Sequence, residues 1–293
     1  MKFEGLYTAI ITPFSADGSK IDYDVYAALI ERQIKAGCGI VPCGTTGESP
    51  TLSHDEHAEL IRRTVEIVNG RVQVIAGTGS NSTAEAIDLT RQACEAGVDA
   101  VMLVNPYYNK PTQEGLYLHF KAIAEKSTKP VVLYNIRGRT AVNVEPETFL
   151  RLCEIPNIAC VKEASGDLNQ MARIIGLTKG KMSLLSGDDN LTPAVMAVGG
   201  SGVISVASNI YPVKLSKMVK YYLAGDFKAG NEIFYQMIEL MNGLFFETNP
   251  IPVKTLAARL GLCSPAMRLP LSPMSADKKE RLFKLHDLAG ADQ

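Results

Sequence analysis

Asn157-Ile-Ala-Cys-Val-Lys-Glu163 is a short apolar run that closes on a lone cation followed by a carboxylate. A segment this brief and this apolar reads as a strand buried on both faces, the kind a parallel sheet requires. Its apolar part, Ile158 to Val161, has seven counterparts: Leu6 to Ile11, Gly39 to Pro42, Val72 to Ala76, Ala100 to Val104, Val131 to Tyr134, Met182 to Leu185 and Val203 to Val206. Stretches of helical periodicity lie between them. Ser53 with Glu56 and Ser82 with Glu85 have the spacing of capping boxes, and Thr112 with Glu114 is a looser helix start. Strand then helix, eight times over, predicts an α/β fold of the (β/α)8 TIM-barrel class. A doubly wound sheet would usually have fewer strands and a G-x-G-x-x-G turn after its first one. The nearest approach, Gly77-Thr-Gly79-Ser-Asn-Ser82, reads as a tight strand-to-helix turn.

Helical stretches continue past the last strand, over Phe227 to Phe246, Pro252 to Leu260 and Ser275 to Leu288. The expected organisation is a catalytic barrel over residues 1–224 and a C-terminal helical extension over residues 225–293, which covers a flank or joins subunits. With 293 residues, 46% of them apolar and 21% charged, the chain can bury one large core. Thirty basic residues against thirty-one acidic ones leave a formal charge of −1, and no basic tract offers a footprint for nucleic acid. Met1-Lys-Phe-Glu-Gly-Leu-Tyr7 lacks the apolar core of a leader peptide, so a cytoplasmic location is expected. Asn190 to Val213 carries no charge, but Pro193, Gly199, Gly200 and Gly202 make it a poor membrane span and a better buried strand and loop. Cys38, Cys43, Cys94, Cys153, Cys160 and Cys263 form no C-x-x-C pair, which favours buried reduced thiols over disulfides or zinc.

Lys162 needs a physical reason to end a buried strand, because sinking an ammonium into an apolar interior costs several kcal/mol. Desolvation lowers an amine pKa by up to ~3–5 units and so favours the neutral nucleophile that Schiff-base chemistry uses. The plainer alternative is a strand-end lysine whose head reaches solvent. In a barrel the reactive groups project from the C-terminal strand ends. Those ends carry Gly44-Thr45-Thr46-Gly47-Glu48-Ser49, Asn105-Pro106-Tyr107-Tyr108, Tyr134-Asn135 with Arg139 beyond, Lys162, Gly187-Asp188-Asp189, and Ile204. An amine forms an imine, a phenol relays protons, and a guanidinium with backbone N–H groups holds a carboxylate. The set suits a 2-oxo acid. A metal-dependent aldolase would need ligands, and of the four histidines only His54 and His57 share a helix face, with no third ligand placed by the sequence, so no metal is expected. A phosphate site at Gly199-Gly200-Ser201-Gly202 lacks a basic partner.

These residues resemble the dihydrodipicolinate synthase and N-acetylneuraminate lyase family along nearly the whole chain. The matching motifs are Gly44-Thr-Thr-Gly-Glu-Ser49, Ala76-Gly-Thr-Gly79, Pro106-Tyr-Tyr-Asn109, Gln113-Glu-Gly-Leu116, Tyr134-Asn135 with Arg139-Thr140, Val161-Lys-Glu-Ala164, Leu185-Ser-Gly-Asp-Asp189, Gly202-Val-Ile-Ser205 and Asn249-Pro-Ile-Pro-Val-Lys254. The resemblance implies a lyase of lysine and diaminopimelate biosynthesis that joins pyruvate, as an imine on Lys162, to aspartate-4-semialdehyde, with no cofactor. It implies Thr45, Tyr134 and Tyr108 as a proton relay, Tyr108 coming from a neighbouring subunit, and Arg139 as the holder of the semialdehyde carboxylate. Thr46 would take the pyruvate carboxylate, with Gly187 and Ile204 lining the pocket. Ser49, Pro50, His54, His57, Asn81, Glu85 and Tyr107 match positions that bind L-lysine as a feedback inhibitor. The resemblance further implies a homotetramer, a dimer of dimers. Sialic acid lyases and sugar-acid aldolases share the lysine and tyrosine, but the arginine at 139 favours the synthase; a catalytically silent barrel is the reading from another class. Arg137 stands where the family usually has proline, so the turn before Arg139 gains a charge and loses rigidity.

Overall fold

The computed structural model of the chain describes residues 2–292. Its strands are β1 (Gly5–Ala9), β2 (Gly39–Val41), β3 (Ile75–Gly77), β4 (Ala100–Val104), β5 (Val131–Asn135), β6 (Ile158–Glu163), β7 (Ser183–Ser186) and β8 (Gly202–Ser205). The helices are α1 (Tyr23–Lys35), α2 (His54–Val68), α3 (Thr83–Ala96), α4 (Gln113–Ala124), α5 (Arg137–Thr140), α6 (Pro146–Leu152), α7 (Leu168–Thr178), α8 (Thr192–Ala197), α9 (Pro212–Leu223), α10 (Phe227–Gly243), α11 (Ile251–Arg259) and α12 (Ala276–Ala289). Sheet neighbours run β2-β1-β8-β7-β6-β5-β4-β3, the registered pairs are parallel, and at least one helix separates each strand from the next. This is the (β/α)8 TIM-barrel class that the sequence predicts, with helices after the last strand. β3 starts later than its apolar run. Residues before it serve a turn, in which Arg71 N donates to Val68 O, and Val74 N is held by the Asp99 carboxylate at 2.8 Å.

The chain divides into two compact units. One comprises Gln73–Ile204 with the N-terminal residues through Gly5. Within it Val101, Leu103, Val131, Val132, Leu133, Cys160 and Val161 are fully buried, as strands covered on both faces must be. Each such aliphatic side chain contributes about 1.5–3 kcal/mol of burial. The other unit comprises Leu6–Val72 and Ser205 onward. There α10 packs on α9 and α12, and its buried stripe is Phe234, Met237, Leu240 and Met241. Gly230 permits the approach to α9, since a Cβ at that position would stand 2.3 Å from the Tyr222 ring.

The expected helix starts form with one change. Ser53 and Glu56 make a full capping box, and Thr112 accepts from Gly115 N. At Ser82 the box is incomplete in the expected sense: Ser82 Oγ caps Glu85 N, but Ser82 N donates to Ser80 Oγ, and Ser80 Oγ in turn donates to the Glu85 carboxylate. All six cysteines are free thiols. No helix among the described residues is long and apolar enough to cross a membrane.

Candidate active site

Lys162 and Tyr134 are register partners at the ends of β6 and β5. Strand alternation turns both toward the same face, and Lys162 Nζ lies 4.1 Å from the centre of the Tyr134 ring. Both are buried, at 6% exposure each. Burial brings the Lys162 pKa down to about 8, with Arg139 adding to the fall and the Asp188 and Asp189 carboxylates opposing it. The amine is therefore still mostly protonated near neutral pH, but its neutral, nucleophilic form is far more populated than in an ordinary lysine. Burial raises the Tyr134 pKa, eased by Arg139, so the phenol keeps its proton and is available as a donor. Lys162 is thus no snorkelling side chain.

Gly187 follows β7, its N–H bonded to Glu163 O at 2.8 Å. A Cβ there would stand 2.6 Å from Ala164 Cβ and 3.3 Å from Lys162 Cε, so glycine leaves open the space beside the amine. Asp188 is held by Ser186, whose hydroxyl accepts from Asp188 N, and burial raises its carboxyl pKa against the pull of Lys162. Ile204 is fully buried in β8. Arg139 sits exposed on the single turn α5, which forms with Arg137 as its first residue and closes on a left-handed Ala141.

One residue further along each strand the side chains face the opposite way, and they are polar. Asn105, Asn135 and Glu163 are all fully buried. Asn135 Nδ2 donates to Glu163 Oε2 at 2.9 Å, and Asn105 Nδ2 donates to Asn135 Oδ1 at 2.7 Å. Glu163 also accepts from Ser165 N at 2.8 Å and from Gln170 Nε2. Burial pushes its carboxyl pKa up, while these hydrogen bonds favour the ionised form. All three lie inside the motifs around the strand ends, and no role attaches to them from the sequence alone. Their polarity in otherwise apolar strands is the signal that marks them.

Asn81 Nδ2 donates to Tyr107 O at 3.1 Å, and Asn109 Nδ2 donates to Asn81 O at 2.9 Å, which ties the turn after β4 to the one after β3. Tyr108 within that turn has a φ of 74° and is 89% exposed. A non-glycine residue in the left-handed region carries strain, and its ring covers almost none of its own chain.

In the other unit the Gly44–Ser49 loop follows β2. Thr12 Oγ1 donates to Gly47 O at 2.7 Å, and Glu48 adopts a φ of 56°. Thr46 is buried and its hydroxyl accepts from Asn249 Nδ2 at 2.9 Å, while Thr45 is half-buried. Glu48 is paired with Lys254, both side chains at 0% exposure. Lys254 Nζ also donates to Thr12 O at 3.0 Å, and Arg268 N donates to Glu48 Oε2 at 3.2 Å. Of the expected inhibitor-binding residues here, His57 is buried and Ser49 half-buried, whereas Pro50 and His54 are exposed. Among the described residues no cluster of His, Cys, Asp or Glu is arranged to hold a metal ion.

Residues 2–288 match the model of the Dihydrodipicolinate synthetase family. The chain is 55% identical over 283 residues to the 4-hydroxy-tetrahydrodipicolinate synthase of Leptospira biflexa, covering 96% of each sequence. It superposes on the chloride-inhibited dihydrodipicolinate synthase of Acinetobacter baumannii complexed with pyruvate at a TM-score of 0.96 and 43% identity, covering 98% of this chain and 99% of that one. It is also similar in fold to the lysine-bound enzyme of Cyanidioschyzon merolae, with a TM-score of 0.95, 40% identity and 98% coverage of both.

Proposed function

The chain belongs to the dihydrodipicolinate synthetase family, and from that premise we propose that it condenses pyruvate with aspartate-4-semialdehyde to give 4-hydroxy-tetrahydrodipicolinate, using Lys162 as the imine-forming nucleophile. The observation that carries this reading is the buried amine of Lys162, its pKa drawn down to about 8 beside a protonated Tyr134. The neutral amine attacks C2 of pyruvate and water leaves, giving the imine. Loss of a C3 proton gives the enamine, whose C3 attacks the aldehyde carbon of the second substrate. The amino group of that substrate then closes on the imine carbon and releases Lys162.

The proton movements fall to Tyr134, Thr45 and Tyr108. The raised pKa of Tyr134 suits a group that donates to the departing hydroxyl and recovers the proton later. Thr46 takes the pyruvate carboxylate; its oxygen accepts from Asn249, which leaves its own proton free to donate. Gly187 supplies space for the keto acid, and Ile204 contributes backbone. Arg139 holds the semialdehyde carboxylate, a task for which a guanidinium fork is suited. Tyr108, strained and exposed, serves the site of a second copy of the chain, and two such pairs form a tetramer. L-Lysine inhibits through Ser49, Pro50, His54, His57, Asn81, Glu85 and Tyr107. The family resemblance supports that assignment, and a cytoplasmic setting goes with it.

The test is a coupled assay with pyruvate and aspartate-4-semialdehyde, run beside N-acetylneuraminate and repeated with added L-lysine. Turnover of the semialdehyde alone, falling as lysine rises, is the expected result. Cleavage of N-acetylneuraminate in place of that condensation overturns the substrate assignment, and full activity in excess lysine overturns the inhibitory site.

A further inference from the structure

We infer that Glu163 is a positioning residue, one that sets the direction of a buried hydrogen-bond chain behind Lys162 and Tyr134 and thereby holds the turn carrying Arg139. This inference rests on the reading of Arg139 as the anchor of the second substrate's carboxylate. Glu163 and Asn135 follow Lys162 and Tyr134 directly and are themselves register partners. An ionised carboxylate only accepts hydrogen bonds, and Glu163 is placed as an acceptor on both oxygens, Oε1 taking the Ser165 N–H at 2.8 Å and Oε2 the side-chain amide of Gln170. Asn135 must therefore aim its NH2 at Glu163, at 2.9 Å, which turns its oxygen the other way. That oxygen accepts from Val144 N at 3.0 Å and from Asn105 Nδ2 at 2.7 Å. Asn105 Nδ2 in turn reaches Val142 O at 3.2 Å.

Asn143 closes the circuit. Its Oδ1 accepts from Asn135 Nδ2 at 2.9 Å, its Nδ2 donates to Gln170 Oε1 at 2.8 Å, and its backbone O accepts from Gln113 Nε2 at 2.8 Å. Residues 142, 143 and 144, the first after the α5 turn and its left-handed cap, are thus each gripped by the chain. Within the turn itself, which has arginine at 137 and glycine at 138, Thr140 makes the local ties, its hydroxyl reaching Ile136 O at 2.8 Å and accepting from Val142 N at 3.2 Å; the chain from Glu163 is what anchors the segment beyond it to β4 and β5. Asn105 shows that the polarity is imposed. Its Oδ1 is buried without a partner among the described residues, and reversing the amide would set that oxygen against Asn135 Oδ1 and Val142 O, two acceptors. Orphaning an acceptor is costly. The orientation persists because every amide is fixed from the Glu163 end.

Glu163→Gln keeps the shape and removes the acceptor-only group, so the amides lose a unique direction. The expected result is a rise in KM for the semialdehyde of roughly ten- to hundredfold, the scale for a misplaced positioning group, with KM for pyruvate and borohydride trapping of the Lys162 imine nearly unchanged. The double variant Glu163→Gln/Asn135→Asp moves the acceptor-only group across to β5, where it still accepts from Val144 N but no longer donates to Asn143 Oδ1, and should recover part of the loss, which a merely space-filling pair would not do. Hydrogen exchange at the Val144 amide, measured without substrate, should quicken in the single variant and slow again in the double one. Asn143→Ala, which removes a half-buried link, should give the same split more weakly and serves if the single variant does not fold. Unchanged semialdehyde KM in Glu163→Gln, or no recovery of KM and exchange in the double variant, overturns the inference. Were the wild type inactive on the semialdehyde, the functional reading would fall, and the exchange measurement would still decide the role of Glu163.

Discussion

Two lysines in this molecule are buried against aromatic rings, and they differ in the company they keep. Lys162 lies 4.1 Å from the Tyr134 ring and Lys254 lies 4.4 Å from the Phe14 ring. Burial lowers the pKa of each. Lys254, however, has the Glu48 carboxylate against it and Thr12 O as a second acceptor, so its ammonium is satisfied and inert. Asp188 and Asp189 only temper Lys162. Depth alone does not make a lysine reactive. The decisive variable is how closely the fold sets a counter-ion: Glu48 is paired directly with Lys254, whereas around Lys162, the proposed nucleophile, burial outweighs the pull of Asp188 and Asp189.

Exchanging the side chains for methionine should separate the two cases most sharply at Lys162. Lys162→Met should lower turnover by a factor on the order of 10^6, the scale for removing a covalent nucleophile. It should also raise stability at neutral pH by a few kcal/mol, because a buried amine with a depressed pKa is a burden in the folded state. Steady-state kinetics and urea unfolding report both, and borohydride labelling with pyruvate that survives the substitution would break the contrast.

Lys254→Met should do the opposite, destabilising the fold by ~3–5 kcal/mol because Glu48 is left charged and buried. Removing both charges in Glu48→Gln/Lys254→Met should recover part of that cost. A single variant as stable as wild type would mean that the pair holds nothing.

The gentlest probe is pH. Below about 8 the Lys162 amine is mostly protonated, so the rate of imine formation should rise about tenfold per pH unit and level off above that value. The stability cost runs the same way. The folded pKa lies below the unfolded value of 10.5, so the unfolded chain binds the extra proton between the two. The cost is full below 8 and fades as pH rises toward 10.5, and the stability gain of Lys162→Met should fade with it. A flat rate profile across neutral pH would assign the titration elsewhere.

The barrel was legible because its strands have apolar middles that recur between helices at near-regular spacing, a pattern that few folds generate. Lys162 was legible for the same reason: a charge at the end of such a strand stands out. Glu48 and Lys254 were not, although both lie within quoted motifs. They are 206 residues apart, and no local pattern tells a glutamate in a hydroxyl-rich loop that its partner sits on α11. The Asn105–Asn135–Glu163 chain was half legible. Its members follow the candidate residues directly in sequence, but only the register of β5 against β6 shows that they bond to one another.

The alternation of β5 and β6 has a consequence for how such an enzyme can change. On the function proposed above, positions 134 and 162 define which bonds are made, while positions 135 and 163, bonded to each other behind them, define how firmly the next loop is held. The two sets are adjacent in sequence yet lie on opposite sides of the sheet. A lineage, or a mutagenesis library, can therefore explore second substrates by loosening 135 and 163 while the imine chemistry one residue away stays intact. Selectivity and reactivity become separately heritable traits, divided by the pleat of a strand.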